Sequence, residues 1–307
     1  MNTQSNAVPD SSVVPREITP AAVPATRLFL WSVRRELWEN RAVYIAPLIA
    51  AVLFLFGFFI NIINLRRHLS ISPLDPALEH ELLFTRYEIA AALIMTTAFL
   101  VGIFYTLDAL YGERRDRSIL FWKSLPVPDS IVVLSKVTIP AVILPLVSLV
   151  ISIATQLIML VLSSAVFAGS GVDVAKLWSE ASFFHVSAVM LYHIITVHGL
   201  WYAPIYGWLL LISAWAPRAP FLWAFLPPFV IGGVEKLAFN TTHFLTMLRQ
   251  RLEGPQHSMS MGPPSMDPMA FLIPSHFFSE PGLWIGLAMA VVFLFAAVRL
   301  RRYHGPI

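Results

Sequence analysis

Cysteine is absent from all 307 residues of the chain. Its absence excludes disulfides, thiolate metal sites and cysteine nucleophiles. Charge is also scarce, because Asp, Glu, Lys and Arg make up 13% of the residues while hydrophobic residues make up 57%. A soluble domain contains about 25% charged residues. The chain therefore has too little polar surface to cover a globule in water.

A glycine directly before a lysine is also missing. The lysines Lys123, Lys136, Lys176 and Lys236 follow Trp, Ser, Ala and Glu. A Walker A loop requires that glycine, because it lets the backbone amides close around phosphate. The sequence also lacks the HExxH pattern of zinc hydrolases and the GxSxG elbow of serine hydrolases. By these criteria the chain is not its own ATPase, and no resident cofactor is expected.

Long apolar runs are abundant instead. Windows of about 20 residues, each long enough to cross about 30 Å of hydrocarbon, recur along the chain. A membrane β-barrel would show segments of about 10 residues that alternate between apolar and polar, whereas the runs here are continuously apolar. The sequence therefore predicts an all-α, polytopic membrane protein.

Six membrane-spanning helices are predicted. Pro140 and Pro145 are expected to kink the third of them. Arg218 is the only Asp, Glu, Lys or Arg between residues 181 and 234, and it lies in a proline-containing cluster that separates the fourth span from the fifth. The approximate ranges of the six spans are 43–65, 89–110, 137–169, 182–215, 221–239 and 282–298.

Two segments precede the first span. Residues 1–25 are polar and proline-rich, and they are expected to form a disordered cytosolic tail. Residues 26–41 project as an amphipathic helix that should lie along the membrane interface, although a cytosolic extension of the first span is the alternative. The polar sector of this helix holds Ser32, Arg35, Glu36 and Glu39. Its other side holds Leu30, Val33 and Leu37.

The distribution of basic residues predicts the orientation. With both termini in the cytosol, 14 of the 21 Lys and Arg residues fall in inner segments and 7 in outer ones, as the positive-inside rule requires. The connector 112–136 and the tail 303–307 are then cytosolic, and residues 240–281 form an outer loop with a short helix near 241–252. Basic span ends explain the net charge of +3, so nucleic acid is not an expected partner.

The connector concentrates charge in an otherwise apolar chain. Residues 113–117 form a charged cluster, and the segment SILFWKSL that follows contains Phe121 and Trp122, which are costly to expose to water. Two prolines end this short helix, after which Asp129 or Ser130 can cap the next one. Two interpretations remain open. The short helix docks into a groove on a cytosolic partner, or its aromatic side chains rest on lipid headgroups.

The connector contains, in this order, an acidic residue after the second span, a short helix and the sequence SLPVPDSIVVLSK. Together with the amphipathic helix and the six spans, this order resembles the coupling segment of ABC type-2 transporter permeases. The residues that match the family pattern are Glu113, Pro126, Val127 and Lys136. Arg117 and Ser118 stand where Gly and Thr are common, and Pro128 replaces the usual Ser. The resemblance covers about residues 26–302.

The resemblance implies a function that the periodicity does not supply. Such a permease is the membrane subunit of an ATP-driven exporter, expected here in a bacterial inner membrane. Two copies, or two related permeases, pair with two separate ATP-binding subunits, whose closure pushes on the coupling helix. The chain itself is then a transporter subunit and not an enzyme. The residues expected to dock the ATP-binding subunit are Glu113, Arg114, Arg115, Arg117, Phe121, Trp122 and Lys123.

Two other classes of function remain open. An ion-coupled secondary transporter would be expected to bury acidic residues at mid-membrane, whereas Glu88, Asp108 and Glu235 fall near the ends of predicted spans. A membrane enzyme would need converging catalytic groups, and none stands out in the sequence. The substrate is not readable from these residues.

Two groups of side chains, the histidines of the fourth predicted span and the methionines of the outer segment, are candidate metal ligands. His185, His193 and His198 lie in the fourth predicted span, but on an α-helix they point about 80° or more apart. Packing or pathway lining is therefore predicted for them, and no metal site. The outer segment HSMSMGPPSMDPM supplies thioethers that can select Cu(I), but it is predicted to be a flexible loop.

Overall fold

The computed structural model describes residues 23–69, 76–168, 183–253 and 274–305. Helices account for nearly all of these residues, and the described part of the chain contains no strand. The all-α prediction is therefore confirmed. Most of the predicted tail 1–25 lies outside the described residues, and so does the Met-rich segment of the outer loop.

The described helices form one series along the chain. The first half contains α1 (Ala25–Glu39), α2 (Ala42–Leu69), α3 (Pro76–Ala109), α4 (Tyr111–Arg115), α5 (Ser118–Ser124), α6 (Asp129–Thr138) and α7 (Leu144–Phe167). The second half contains α8 (Phe183–His193), α9 (Ala203–Trp215), α10 (Pro220–Phe239), α11 (His243–Glu253), α12 (Pro274–Ser279) and α13 (Pro281–Tyr303). Short π-helical segments, Ile139–Ile143 and Ile194–Trp201, join α6 to α7 and α8 to α9.

Several of these helices are long and apolar enough to cross a membrane. Within the described residues there are five such candidates: Ala42–Asn64, Arg86–Arg115, Asp129–Phe167, Pro220–Phe239 and Pro281–Tyr303. The fourth predicted span corresponds instead to a bent pair, Met190–Trp201 and Ala203–Trp215, whose halves meet at 47°. The chain is thus a polytopic helical protein with membrane character. A sixth crossing follows only if the bent pair is one span.

The prolines of the third predicted span are accommodated without a break. Pro140 lies in the π-helical segment Ile139–Ile143, and Pro145 follows in the first turn of α7. Proline removes one backbone donor, and a π-helical turn is one way in which a helix absorbs that loss. The continuous helix therefore starts at Asp129, within one residue of the expected helix start and before the predicted span 137–169.

The connector, the amino-terminal helix and the carboxyl-terminal helix meet at one end of the bundle. Arg35 of α1 lies 3.0 Å from Glu113 of α4. Lys123 of α5 donates a hydrogen bond of 3.0 Å to the carbonyl oxygen of His304, just after α13. The turn between α9 and α10 lies at the same end, because Arg114 reaches its backbone. The segments predicted to share one side of the membrane are therefore neighbours.

Helix α1 is not turned as its amphipathic pattern suggested. Glu36, expected in the water-facing sector, is 1% exposed, and it packs with Val33 toward the bundle. Leu30 and Trp31, by contrast, are exposed. Glu36 faces the bundle because Lys136 of α6 lies there and pairs with its carboxylate at 2.9 Å. The polar sector of α1 is therefore partly an interior face.

Helices α9 and α13 form the closest helix pair in the bundle. Gly207 of α9 lies against the backbone of Ala290 in α13, where an added Cβ would be 3.3 Å from the carbonyl oxygen of Ala290. This close approach fixes α13 along α9. It thereby sets the position of the carboxyl-terminal end of α13 beside the connector.

Candidate functional site: the connector and a buried ionic cluster

The connector folds as two short helices joined by one left-handed turn. Arg117, between α4 and α5, has φ 59°, a conformation that costs a side-chain-bearing residue about 1 kcal/mol and favours glycine. The start of α4 is held by Ser213 of α9. Its hydroxyl oxygen accepts hydrogen bonds of 2.9 Å from the backbone N–H groups of both Leu110 and Tyr111.

Six charged side chains from four helices meet behind this connector. This ionic cluster consists of Arg35 and Glu36 from α1, Glu113 from α4, Asp129 and Lys136 from α6, and Arg301 from α13. Three of these six members are cations and three are carboxylates, so their charges balance; the exposed Glu39 adds a longer contact of 3.5 Å from its Oε2 to Arg35 Nε at the edge of the cluster. Four of them are buried: Glu36, Glu113, Lys136 and Arg301.

Glu113 is the centre of the ionic cluster. Its Oε1 lies 3.0 Å from Arg35 Nη2 and 3.1 Å from Lys136 Nζ. Its Oε2 accepts a hydrogen bond from Arg301 Nη1. One carboxylate thus contacts a cation from each of the helices α1, α6 and α13.

Glu36 provides the second carboxylate. Its Oε1 lies 2.6 Å from Arg35 Nη2 and 2.9 Å from Lys136 Nζ. Its Oε2 accepts a hydrogen bond of 2.9 Å from the hydroxyl of Tyr105 in α3. Both oxygens of this buried carboxylate are therefore satisfied, as burial of a charge demands.

Asp129 has a different role from the one predicted. It was expected, with Ser130 as the alternative, to cap α6, but the residue at the cap position is Pro128, and it makes no side-chain capping bond. Asp129 is the first residue of α6, and its Oδ1 accepts a hydrogen bond of 3.0 Å from Arg301 Nε. Its carboxylate is used to hold α13.

Burying the ionic cluster costs solvation free energy, and this cost is offset only when all of its members are paired. Each ion removed from water loses several kcal/mol of solvation, and only good geometry with further hydrogen bonds offsets that loss. Charge-assisted bonds of 2.6 to 3.1 Å meet this requirement. Because alternative packings would leave a buried charge unpaired, the cluster favours one arrangement of α1, α4, α6 and α13.

The stability of the protein is expected to fall in acid because of Glu36. Burial alone raises the pKa of its carboxyl, but Lys136 and Arg35 outweigh burial, and the pKa lies below the ordinary value of 4.5. Such a group stabilises the fold above its unfolded pKa and loses that contribution as the pH falls through its folded pKa. We expect the thermal unfolding midpoint in detergent to decline below pH 4.5. Glu36→Gln should flatten this decline, and equal slopes in both proteins would contradict the assignment.

Arg114 is buried on the other side of α4. Its Nη1 donates hydrogen bonds to the carbonyl oxygens of Ala214, at 2.6 Å, and Ala216, at 3.3 Å. These carbonyls lie at the carboxyl-terminal end of α9, where they have no partners within the helix and where positive charge is favourable. Arg114 therefore ties α4 to the turn that leads into α10.

The surface of the connector is formed by α5 and its flanks. Phe121 is 60% exposed and Leu120 is 58% exposed. Arg117 and Lys123 are exposed beside them. Trp122 is half-buried, with the guanidinium of Arg35 stacked 3.8 Å from its ring centre. Leu120 and Phe121 thus form an exposed apolar patch flanked by cations, and the ionic cluster fixes the position of the connector that carries it.

The residues predicted to dock a partner divide into two groups. Glu113 and Arg114 are buried and bonded within the chain, so they attach the connector to the bundle and do not form part of its exposed surface. Arg115 is exposed and paired with the neighbouring Asp116 at 3.0 Å. The residues at or near the surface are Arg115, Arg117, Phe121, Trp122 and Lys123.

Five of the six members of the ionic cluster were missed as site residues: Arg35, Glu36, Asp129, Lys136 and Arg301. Their signal was the presence of lone charges at the ends of apolar segments. Pairing could not be read from the sequence, because Glu36 and Lys136 are 100 positions apart, and Glu113 and Arg301 are 188 apart.

The histidines of the fourth predicted span are arranged differently from the expectation. The side chain of His185 lies outside the described part. The segment Ile194–Trp201 is π-helical, and hydrogen bonding between residues five apart brings such residues onto one side. The rings of His193 and His198 are consequently 5.9 Å apart. Their predicted divergence was wrong, because it assumed an α-helix.

At the opposite end of the bundle, Glu235 and Arg251 both have structural partners. Glu235 accepts hydrogen bonds from the backbone N–H groups of His243 and Phe244 and so caps α11. Arg251 of α11 stacks on Trp201, with 4.4 Å between its guanidinium carbon and the ring centre, and donates to the carbonyl oxygen of Gly282. Glu235 thus stabilises the start of α11, and this role explains the position of its carboxylate without a coupling ion.

Comparison with known proteins gives no relative: no family model, no curated protein and no solved structure matches the chain. Among the described residues there is also no group of three His, Cys, Asp or Glu side chains that could hold a metal ion.

Proposed function

We propose that the chain is the membrane-spanning permease subunit of an ATP-driven ABC exporter and that α5 is its coupling helix. The observation that carries this proposal is the exposed patch of Leu120 and Phe121 on a connector that is rigidly attached to the bundle. Exposed apolar side chains flanked by cations suit a groove on a partner protein. The proposed location is a bacterial inner membrane, with the connector in the cytosol.

Force on α5 has a direct route into the bundle. The segment before α5 is bonded through Glu113 to α1, α6 and α13. The segment after it is bonded through Asp129 to α13. A push on α5 therefore displaces several helices together, because closely packed elements transmit strain.

The backbone of the connector supports the family resemblance at one position. Arg117 stands where the family commonly has glycine, and its φ of 59° is one that glycine adopts without cost. Pro128 replaces the usual serine, and the amino-terminal end of α6 accordingly has no side-chain cap. A backbone conformation that favours glycine thus occurs where the family commonly has glycine, which supports the proposed resemblance.

The nucleotide step is assigned to a separate ATP-binding subunit. None of the four lysines follows a glycine, so the chain has no Walker A loop. A second copy of this permease, or a related one, is the proposed membrane partner. The substrate class stays open.

Copurification tests this assignment. The tagged chain, extracted from its native membrane in mild detergent, should bring down an ATP-binding subunit and show ATP hydrolysis. Leu120→Ala with Phe121→Ala should reduce the recovered partner and the hydrolysis at least about tenfold, a loss of about 1.4 kcal/mol of docking energy. The matched control is Leu53→Ala with Phe56→Ala, since both of these α2 side chains are 66% exposed but far from the connector.

Four results would count against the proposal. One is wild-type protein that copurifies without an ATP-binding subunit, and another is an equal loss in both double variants. Transport that follows an ion gradient and ignores ATP would favour a secondary transporter. Turnover of a lipid by the purified single chain would favour a membrane enzyme.

A further inference from the structure

Two histidines lie together in the first half of the bent helix pair, Met190–Trp201. The ring centres of His193 and His198 are 5.9 Å apart. His198 is 5% exposed, and neither of its ring nitrogens has a hydrogen-bond partner among the described residues. The rings of Phe99 and Tyr202 lie beside it, with centre distances of 6.5 Å and 5.3 Å.

A buried imidazole with two unpartnered nitrogens calls for an explanation. A neutral ring carries one donor and one acceptor, and buried polar atoms in folded proteins nearly always have partners. The backbone supplies a second, independent observation. The π-helical segment Ile194–Trp201 places the two rings on the same side of the helix, and such segments are frequent at functional sites. Both observations point to a ligand held between the rings.

The spacing of the rings fits a shared metal ion. An ion about 2 Å from a ring nitrogen lies about 3 Å from the centre of that ring. Two ring centres at 5.9 Å can therefore bind one ion between them, with the two nitrogens nearly opposite each other. A tetrahedral angle between the same ligands would require the ring centres to lie closer together.

We propose that His193 and His198 bind one Cu⁺ ion. Imidazole is a ligand suited to copper, and Cu⁺ accepts two ligands in a nearly linear arrangement. No Asp or Glu joins the two histidines in a metal-binding group within the described residues. Because the cost of burying an ion rises steeply with its charge, a monovalent ion fits this apolar, carboxylate-free site better than Zn²⁺. The site replaces the packing role predicted for the two histidines, and it does not depend on the ATP-driven mechanism.

Cu⁺ binding can be measured on the full-length chain in detergent under anaerobic, reducing conditions. Titration against the chromophoric chelator bicinchoninate should reveal one ion bound per chain. His198→Gln should weaken this binding at least about a hundredfold, since it removes one of two ligands, and His193→Gln should do the same. The control is His243→Gln, because His243 is exposed on α11 and should leave the affinity unchanged.

X-ray absorption separates this site from binding by methionines elsewhere in the chain. Two nitrogen scatterers at about 2 Å are expected in the wild type. Sulfur scatterers, or wild-type affinity in both histidine variants, would overturn the proposal, and so would a preference for Zn²⁺ over Cu⁺. The unfolding midpoint of each metal-free variant shows whether it is folded. If His198→Gln does not fold, the half-buried His193→Gln decides the question.

Discussion

Glu113→Gln is expected to destabilise the protein by about 3–5 kcal/mol, because it leaves three cations of the ionic cluster with only two carboxylates. Glutamine keeps the shape of the side chain, so the effect reports the lost charge. Against a typical total stability of about 5–15 kcal/mol, the variant should give much less monodisperse protein on extraction and a lower unfolding midpoint. Fluorescence-detected size-exclusion chromatography after heating measures both.

Two companion variants make the Glu113 result specific. Asp116→Asn removes an exposed carboxylate of the same connector and should change stability by no more than about 0.5 kcal/mol. Lys136→Met added to Glu113→Gln restores neutrality, with two cations facing two carboxylates, and should recover part of the loss. Glu113→Gln with wild-type stability would show that the cluster does not stabilise the assembled bundle.

Gly286→Ala is expected to destabilise the opposite end of the bundle by about 1–2 kcal/mol, because the flexible end of Arg251 must move aside and lose its contacts. A Cβ at Gly286 would overlap Nη2 of Arg251 and lie 2.6 Å from its Cζ. The guanidinium would have to leave its stacking position on Trp201 and its hydrogen bond to Gly282. Helix α11 would thereby lose its anchor in the bundle. Thermal unfolding and protease sensitivity near α11 measure the change.

Gly57→Ala is the matched control for Gly286→Ala. Nothing lies within 4 Å of a Cβ added at Gly57 in the middle of α2, so the substitution should be stabilising by about 0.5–1 kcal/mol through helix propensity alone. The double variant Arg251→Ala with Gly286→Ala should have an unfolding midpoint no lower than that of Arg251→Ala by itself. Additive losses in that double variant would refute the steric explanation.

The sequence predicted most of the helical framework and little of its internal chemistry. Hydropathy located the long apolar helices well, because a run of about 20 apolar residues is rare outside a membrane-spanning helix. The predicted break at Arg218 and the short helix near 241–252 are both confirmed, the latter as α11. The helix start near Asp129 was also expected, but hydropathy placed the third span only from about residue 137, since polar residues in the first turns lower the local hydropathy without ending the helix.

The errors share a physical origin in tertiary context. The water-facing side of α1 was predicted from the polar pattern of α1 alone. Glu36 on that side is nevertheless buried, because Lys136 and Arg35 compensate its charge. The divergence of the two histidines was judged on a regular α-helix, and a π-helical segment changed their directions. Neither a long-range ion pair nor a local change of helical period leaves a clear mark on a single sequence.

The ionic cluster also constrains the order in which the protein is made. Arg35 and Glu36 leave the ribosome early, whereas Arg301, which completes the shell around Glu113 and Asp129, comes near the end. Domains are synthesised from the amino terminus at about 5–20 residues per second. For the time needed to make the intervening helices, these carboxylates lack one cation. A nascent chain that stalls before α13 therefore carries one uncompensated negative charge in the unfinished cluster at this end of the bundle.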